Sequence, residues 1–80
     1  MATMNYSSSV AEIVTYLIDH KNEWITDSEL LNLSPQYAER IIDELIAIDA
    51  VTSTKDGICY DDDNYESLKK YVKRLGINIY

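Results

Sequence analysis

Leu31-Asn32-Leu33-Ser34-Pro35-Gln36-Tyr37-Ala38-Glu39-Arg40-Ile41-Ile42-Asp43-Glu44-Leu45-Ile46-Ala47-Ile48-Asp49-Ala50-Val51 is the stretch on which the fold turns. Pro35 suits the first turn of a helix, where its missing N–H costs nothing, and Ser34 before it offers a hydroxyl to the free amides. From there Ala38, Ile41, Ile42, Leu45, Ile46 and Ile48 recur at helical spacing and form one broad apolar face. The pattern predicts a helix from about Pro35 to Asp49, buried against the segments that precede it. At 100° per residue, with Ala38, Ile41, Ile42 and Leu45 inward, the outward face is Gln36, Arg40, Asp43 and Ala47, with Glu44 to one side.

Upstream, Ser9-Val10-Ala11-Glu12 fits a capping box, and Val10, Ile13, Val14, Leu17 and Ile18 follow at helical spacing, which predicts a first helix from about Ser9 to His20. Trp24-Ile25 is a brief extended stretch, with Trp24 expected as a lid on the core. Thr26-Asp27-Ser28-Glu29 repeats the capping-box pattern ahead of a short second helix ending near Leu33. Downstream, Val51-Thr52-Ser53-Thr54 and Ile58-Cys59-Tyr60-Asp61 read as strands joined through Lys55-Asp56-Gly57. Asp63-Asn64-Tyr65-Glu66 offers a third capping box, and Tyr65, Leu68, Val72 and Leu75 stripe a last helix that stops at Gly76. Ile77-Asn78-Ile79-Tyr80 alternates like a terminal strand. The expected fold is mostly α with a small β-hairpin (α+β), one domain over residues 1–80, with 1–6 flexible and 64–80 an appended helix and strand.

Hydrophobic residues make up 46% of the 80 and charged residues 26%, too apolar for a disordered chain and too short for two cores. The absence of a long apolar run or a signal-like start predicts a soluble, cytoplasmic protein with no membrane partner. Cys59 and His20 are each alone of their kind, so neither a disulfide nor a zinc set is available, and no cofactor or metal is expected. Cys59 either fills core or sits on the hairpin, and His20 serves the end of the first helix through its dipole. Asp61-Asp62-Asp63-Asn64 with Glu66 lacks calcium-loop spacing and reads as a solvated turn and helix cap. With no nucleophile–base arrangement in view, an enzyme is not expected.

Seven Lys+Arg against fourteen Asp+Glu leave a net charge of −7, which repels phosphate backbones and anionic lipid. The charge is uneven. Residues 1–63 carry −10, whereas 64–80 carry +3 through Lys69, Lys70, Lys73 and Arg74 against Glu66.

Three helices, the second and third joined by a very short turn, followed by a hairpin, resemble the winged helix-turn-helix superfamily of small regulators over roughly residues 9 to 61. In that resemblance Ser34-Pro35 opens the recognition helix, Arg40 sits at a frequent basic position and Leu45 is the usual core leucine. Trp24-Ile25 resembles the small strand between helices one and two. Two departures stand out: Asp49 replaces the usual Gly before the wing, where Asp still tolerates a left-handed backbone, and Asp43 and Glu44 stand where DNA-binding relatives generally carry Lys or Arg. The accessory proteins of ferrous-iron uptake, one group of this superfamily, cluster cysteines in the wing; a single Cys59 does not match them. Helices appended to such cores often pair protomers, which implies a homodimer through Leu68, Tyr71, Val72 and Leu75. The basic outer face of the last helix could equally answer the acidic body of the same or a second molecule.

Two functions compete at this point. The first is a non-enzymatic regulatory module that binds a protein with a basic surface, of the transcription or nucleic-acid-handling machinery, through an acidic face centred on Asp43 and Glu44 with Glu39, Arg40 and the wing, with DNA mimicry as a variant. The second is a dimeric, sequence-specific DNA-binding regulator in which Ser34, Gln36, Tyr37 and Arg40 read or position DNA and Lys55 touches a phosphate. Tyr37 serves equally as a packed neighbour of helix two or as an exposed contact.

Overall fold

A computed structural model describes residues 5–77. Helix α1 spans Tyr6–Asp19, α2 Asp27–Leu33 and α3 Ala38–Ala47; strands β1 (Thr52–Thr54) and β2 (Gly57–Cys59) form the hairpin, and α4 (Tyr65–Arg74) follows a turn of 3-10 helix at Asp62–Asn64. The mostly helical expectation with one small antiparallel sheet holds. One core joins all of it: Val10, Ile13, Val14 and Leu17 of α1, Leu30 of α2, Ile41 and Leu45 of α3, Ile58 of β2 and Leu68 of α4 are each at most 1% exposed. Each such aliphatic contributes ~1.5–3 kcal/mol by leaving water, so this shared core holds the short elements in place.

The start of α1 differs from expectation. Asn5, not Ser9, is the cap, its Oδ1 accepting the Ser8 N–H at 2.7 Å. Ser9 lies inside the helix on its buried face, where its Oγ accepts from the Ser34 hydroxyl at 2.8 Å. Two hydroxyls out of reach of water each need a partner, and they supply one another. Ser34 therefore does not cap α3 with its side chain. Its carbonyl takes the Tyr37 and Ala38 amides at 3.3 and 2.9 Å instead, residues 35–37 form a turn, and α3 begins at Ala38.

The end of α3 follows its chemistry. Asp49 adopts φ 61°, its N–H reaches Ile46 O at 3.2 Å and the next N–H, of Ala50, reaches Leu45 O at 2.9 Å. This is the Schellman arrangement that a left-handed residue after a helix permits. The Asn64 side chain donates to Asp49 O at 2.9 Å, tying this corner to the entry of α4. Gly76 (φ 74°) closes α4 in the same way, with Ile77 N–H on Val72 O at 2.9 Å.

The capping box at α2 is formed by Thr26 and Glu29. The third box sits two residues earlier than expected: Asp61 accepts from Asp63 N–H and Asn64 returns to Asp61 N–H, because the 3-10 turn precedes α4. The hairpin turns tightly at Lys55-Asp56, with Thr54 opposite Gly57 and Thr52 opposite Cys59. Ile25 pairs with Ile58 through N–H···O bonds of 2.8 and 2.9 Å, adding a third short segment to the sheet. Gly57 (φ 121°) is required there, since a Cβ would lie 2.3 Å from Ile25 O.

Trp24 is not a core lid. It is 48% exposed, because side chains alternate along an extended segment and its neighbour Ile25 takes the inward place. Leu68, Tyr71 and Val72 are 0–2% exposed within this chain's own core, so the face expected to pair protomers is already covered; only Leu75 stays half-buried. Cys59 is a buried thiol, pushed up by that burial. His20 caps the end of α1, stacked on Tyr16 at 4.0 Å with Nδ1 2.8 Å from Tyr16 O. Among the described residues no helix is long and apolar enough to cross a membrane. The expected strand at Ile77–Tyr80 falls, from Asn78 on, outside the described residues.

Gly57→Ala combines a positive φ, worth ~1–3 kcal/mol of strain, with backbone overlap at Ile25. Gly76→Ala carries the strain alone, since nothing lies within 4 Å of its Cβ. Thermal unfolding followed by circular dichroism should show the larger fall in Tm for Gly57→Ala, at roughly 4–8 °C per kcal/mol for a domain of this size. Equal shifts would refute the close approach of Ile25.

Candidate functional site

With its apolar stripe inward, α3 presents two edges to different neighbours, and the polar residues on each edge meet different fates. On the edge facing α1 and α4, Glu44 Oε1 accepts from the Tyr6 hydroxyl and, at 2.7 Å, from the Tyr71 hydroxyl, whose oxygens lie 3.2 Å apart. Arg40, one turn earlier, is 3.6 Å from Glu44 Oε2 and lies 4.9 Å over the Tyr6 ring. Arg74 covers the Tyr71 ring at 5.8 Å, and Tyr37 meets Tyr6 edge-on at 5.4 Å. The Tyr6 hydroxyl, helped by Tyr71 and Arg40, holds the Glu44 carboxyl below its ordinary range against the cost of partial burial. Burial first, then the hydrogen bonds to one another and to Glu44, raise Tyr71; burial and the bond to Glu44 raise Tyr6. The cluster clamps the first turn of α1, α3 and α4 together.

The opposite edge is open. Asp43, Ile42 and Ile46 of α3, Thr26, Asp27 and Ser28 at the start of α2, and Ser53 through Gly57 of the hairpin line a groove of about 320 Å³. Its rim carries the carboxylates of Asp27, Asp43 and Asp56 against one cation, Lys55, and all four residues are exposed. Hydroxyls of Thr26, Ser28, Ser53 and Thr54 supply further acceptors. Among the described residues no three His, Cys, Asp or Glu stand close enough together to hold a metal. The groove is an open concavity with an acidic rim.

The expected partner-binding residues thus separate. Glu39 and Asp43 are exposed, whereas Glu44 is drawn into the tyrosine cluster and Arg40 accompanies it. Of the expected DNA contacts, Ser34 is 2% exposed and spent on Ser9, so it is withdrawn, and Tyr37 leans on Tyr6; Gln36, Arg40 and Lys55 stay exposed. The sequence points to the wing, where Asp56 lies, as part of the acidic face, but not to Asp27, which reaches it from α2. The alternation of Trp24-Ile25-Thr26 ahead of Asp27, set against a hairpin ending in Lys55-Asp56, was the available signal. Comparison of the chain with protein-family models, with curated proteins and with solved structures returns no match.

A carboxyl lowered in the folded state stabilises it above the unfolded carboxylate pKa of ~4.3, and that contribution disappears as pH falls through the folded value. The Tm advantage of the wild-type chain over Glu44→Gln should accordingly be full near neutral pH and shrink below about pH 4. Raised tyrosines act in the opposite direction: their contribution is full below ~10 and is lost as pH climbs through their folded values. Tyr71→Phe should therefore flatten the alkaline fall in Tm. A Tm difference between wild type and Glu44→Gln that is independent of pH would show that the carboxylate charge plays no part in the clamp.

Proposed function

We propose that this chain is a non-enzymatic regulatory module on the winged-helix plan that binds a protein with a basic surface through its acidic groove. The groove itself carries the reading: three carboxylates from α2, α3 and the hairpin converge beside the exposed face of α3, where a DNA-binding surface needs cations. The order of elements supports the plan, with the three-residue turn between α2 and α3, the hairpin behind α3 and the Ile25 segment paired to it. The docking set is Asp27, Glu39, Asp43 and Asp56, with Ile42 and Ile46 as the apolar floor. Glu44 and Arg40 act as positioning residues that hold α3 against α1 and α4. A cytoplasmic partner from the transcription or nucleic-acid-handling machinery suits the site, because such proteins expose Lys and Arg. Complementary charge then sets the on-rate and makes association salt-sensitive.

Fluorescence anisotropy of a labelled oligoarginine peptide, alongside labelled mixed-sequence duplex DNA, tests the reading. The peptide should bind at low salt and weaken toward 0.15 M and beyond, and Asp43→Lys with Asp56→Lys should weaken it roughly tenfold or more, about 1.4 kcal/mol. Duplex DNA should not bind even at low salt. Tight, salt-dependent DNA binding that is lost in Arg40→Ala would overturn the proposal in favour of a DNA-reading module.

A further inference from the structure

Five of the seven cations of the chain, Arg40, Lys69, Lys70, Lys73 and Arg74, lie on α4 or on the edge of α3 that faces it. The four on α4 are all exposed, with Glu66 as the only acid on that helix. Among the described residues the ion pairs are Lys21–Asp62 and Arg40–Glu44, so no α4 cation is joined to a carboxylate. Lys70 and Arg74, one turn apart, flank a cavity of about 270 Å³ floored by Ile48 and Tyr71, with Ser67 at its side. The acidic groove lies beyond the other edge of α3, lined by Ile42, Asp43 and Ile46. Opposite charge is therefore placed on two faces that cannot meet within one rigid molecule.

We propose that the basic face of α4, centred on Lys70 and Arg74, docks on the acidic groove of a second copy of this chain, head to tail. The inference rests on the reading of the groove as a surface for basic proteins and names one occupant of it; a second copy seated there competes with any outside partner. Each copy carries −7 overall, so the contact must act at short range. At 0.1 M salt the Debye length is ~10 Å, which screens the repulsion between whole molecules while leaving contacts between adjacent side chains. Nucleic acid fits α4 less well, since a phosphate backbone extends past the helix onto the acidic body.

Sedimentation velocity of the intact chain over a concentration series provides the test, with circular dichroism to verify that each variant folds. The wild type should gain weight-average mass with concentration at about 0.1 M salt and return toward monomer at about 1 M, where the Debye length is ~3 Å. Lys70→Glu with Arg74→Glu, and separately Asp43→Lys with Asp56→Lys, should each weaken association by more than tenfold. An equimolar mixture of the two variants should restore it, because each reversed face then meets its complement. A wild type that stays monomeric throughout, association that survives either reversal, or a mixture that fails to recover would each overturn the proposal. Oligoarginine binding by a Lys70→Gln, Arg74→Gln variant, which adds no carboxylate to α4, separates the two readings. If that variant binds the peptide while the wild type never self-associates, self-docking falls and the groove reading stands; if both are absent, both fall.

Discussion

Burial of Ala38, Ile41, Ile42 and Leu45 along one side of α3 is the constraint on which every other placement depends. A ten-residue helix gains little from its own backbone, and it is held because this stripe shares a core with α1, α2 and the hairpin. Once the stripe is inward, the remaining positions have no freedom: Glu39, Asp43 and Ile46 fall on the edge that meets the hairpin, Glu44 and Ile48 on the edge toward α4, and Arg40 and Ala47 between them. One side-chain periodicity thus determines which carboxylate faces water and which is drawn against tyrosines.

Polar groups at the seams then refine the geometry that packing allows. Ser9 and Ser34 satisfy one another where α1 passes the α2–α3 turn, and this costs Ser34 the capping role its position suggests. Asn64 does the reverse at the far end of α3, using a side-chain amide to bind the carbonyl of the left-handed Asp49. The Tyr6–Glu44–Tyr71 cluster makes a charged residue compatible with a half-buried position by giving its carboxylate two hydroxyl donors and a nearby guanidinium. Tyrosine rather than phenylalanine suits these seams, since each ring packs on one side and delivers a hydroxyl on the other.

The result is a small molecule with segregated charge. Acidic side chains from three elements surround a groove with an aliphatic floor, and cations from one helix occupy the far side. Segregation of this kind contributes little to stability, because exposed pairs are weak, but it directs encounters strongly.

Helix, turn and hairpin were legible because their signals are local: the stripe of α3, the Thr26–Glu29 box, the left-handed Asp49 and the stop at Gly76 each depend on residues within a few positions of one another. Charge asymmetry between the two ends of the chain was legible for the same reason. The fates of Ser34, Glu44 and Tyr71 were not. Each is decided by a group far away in the chain, Ser9 for Ser34 and Tyr6 and Tyr71 for Glu44, and a serine or glutamate at an outward position reads alike whether water or a distant hydroxyl awaits it. The acidic face was visible in α3 and the wing but not in Asp27, which joins it through tertiary contact between elements that periodicity treats separately. Local chemistry settles which segments form and where they stop; long-range packing settles which polar groups are consumed in holding them together and which are left to meet a partner.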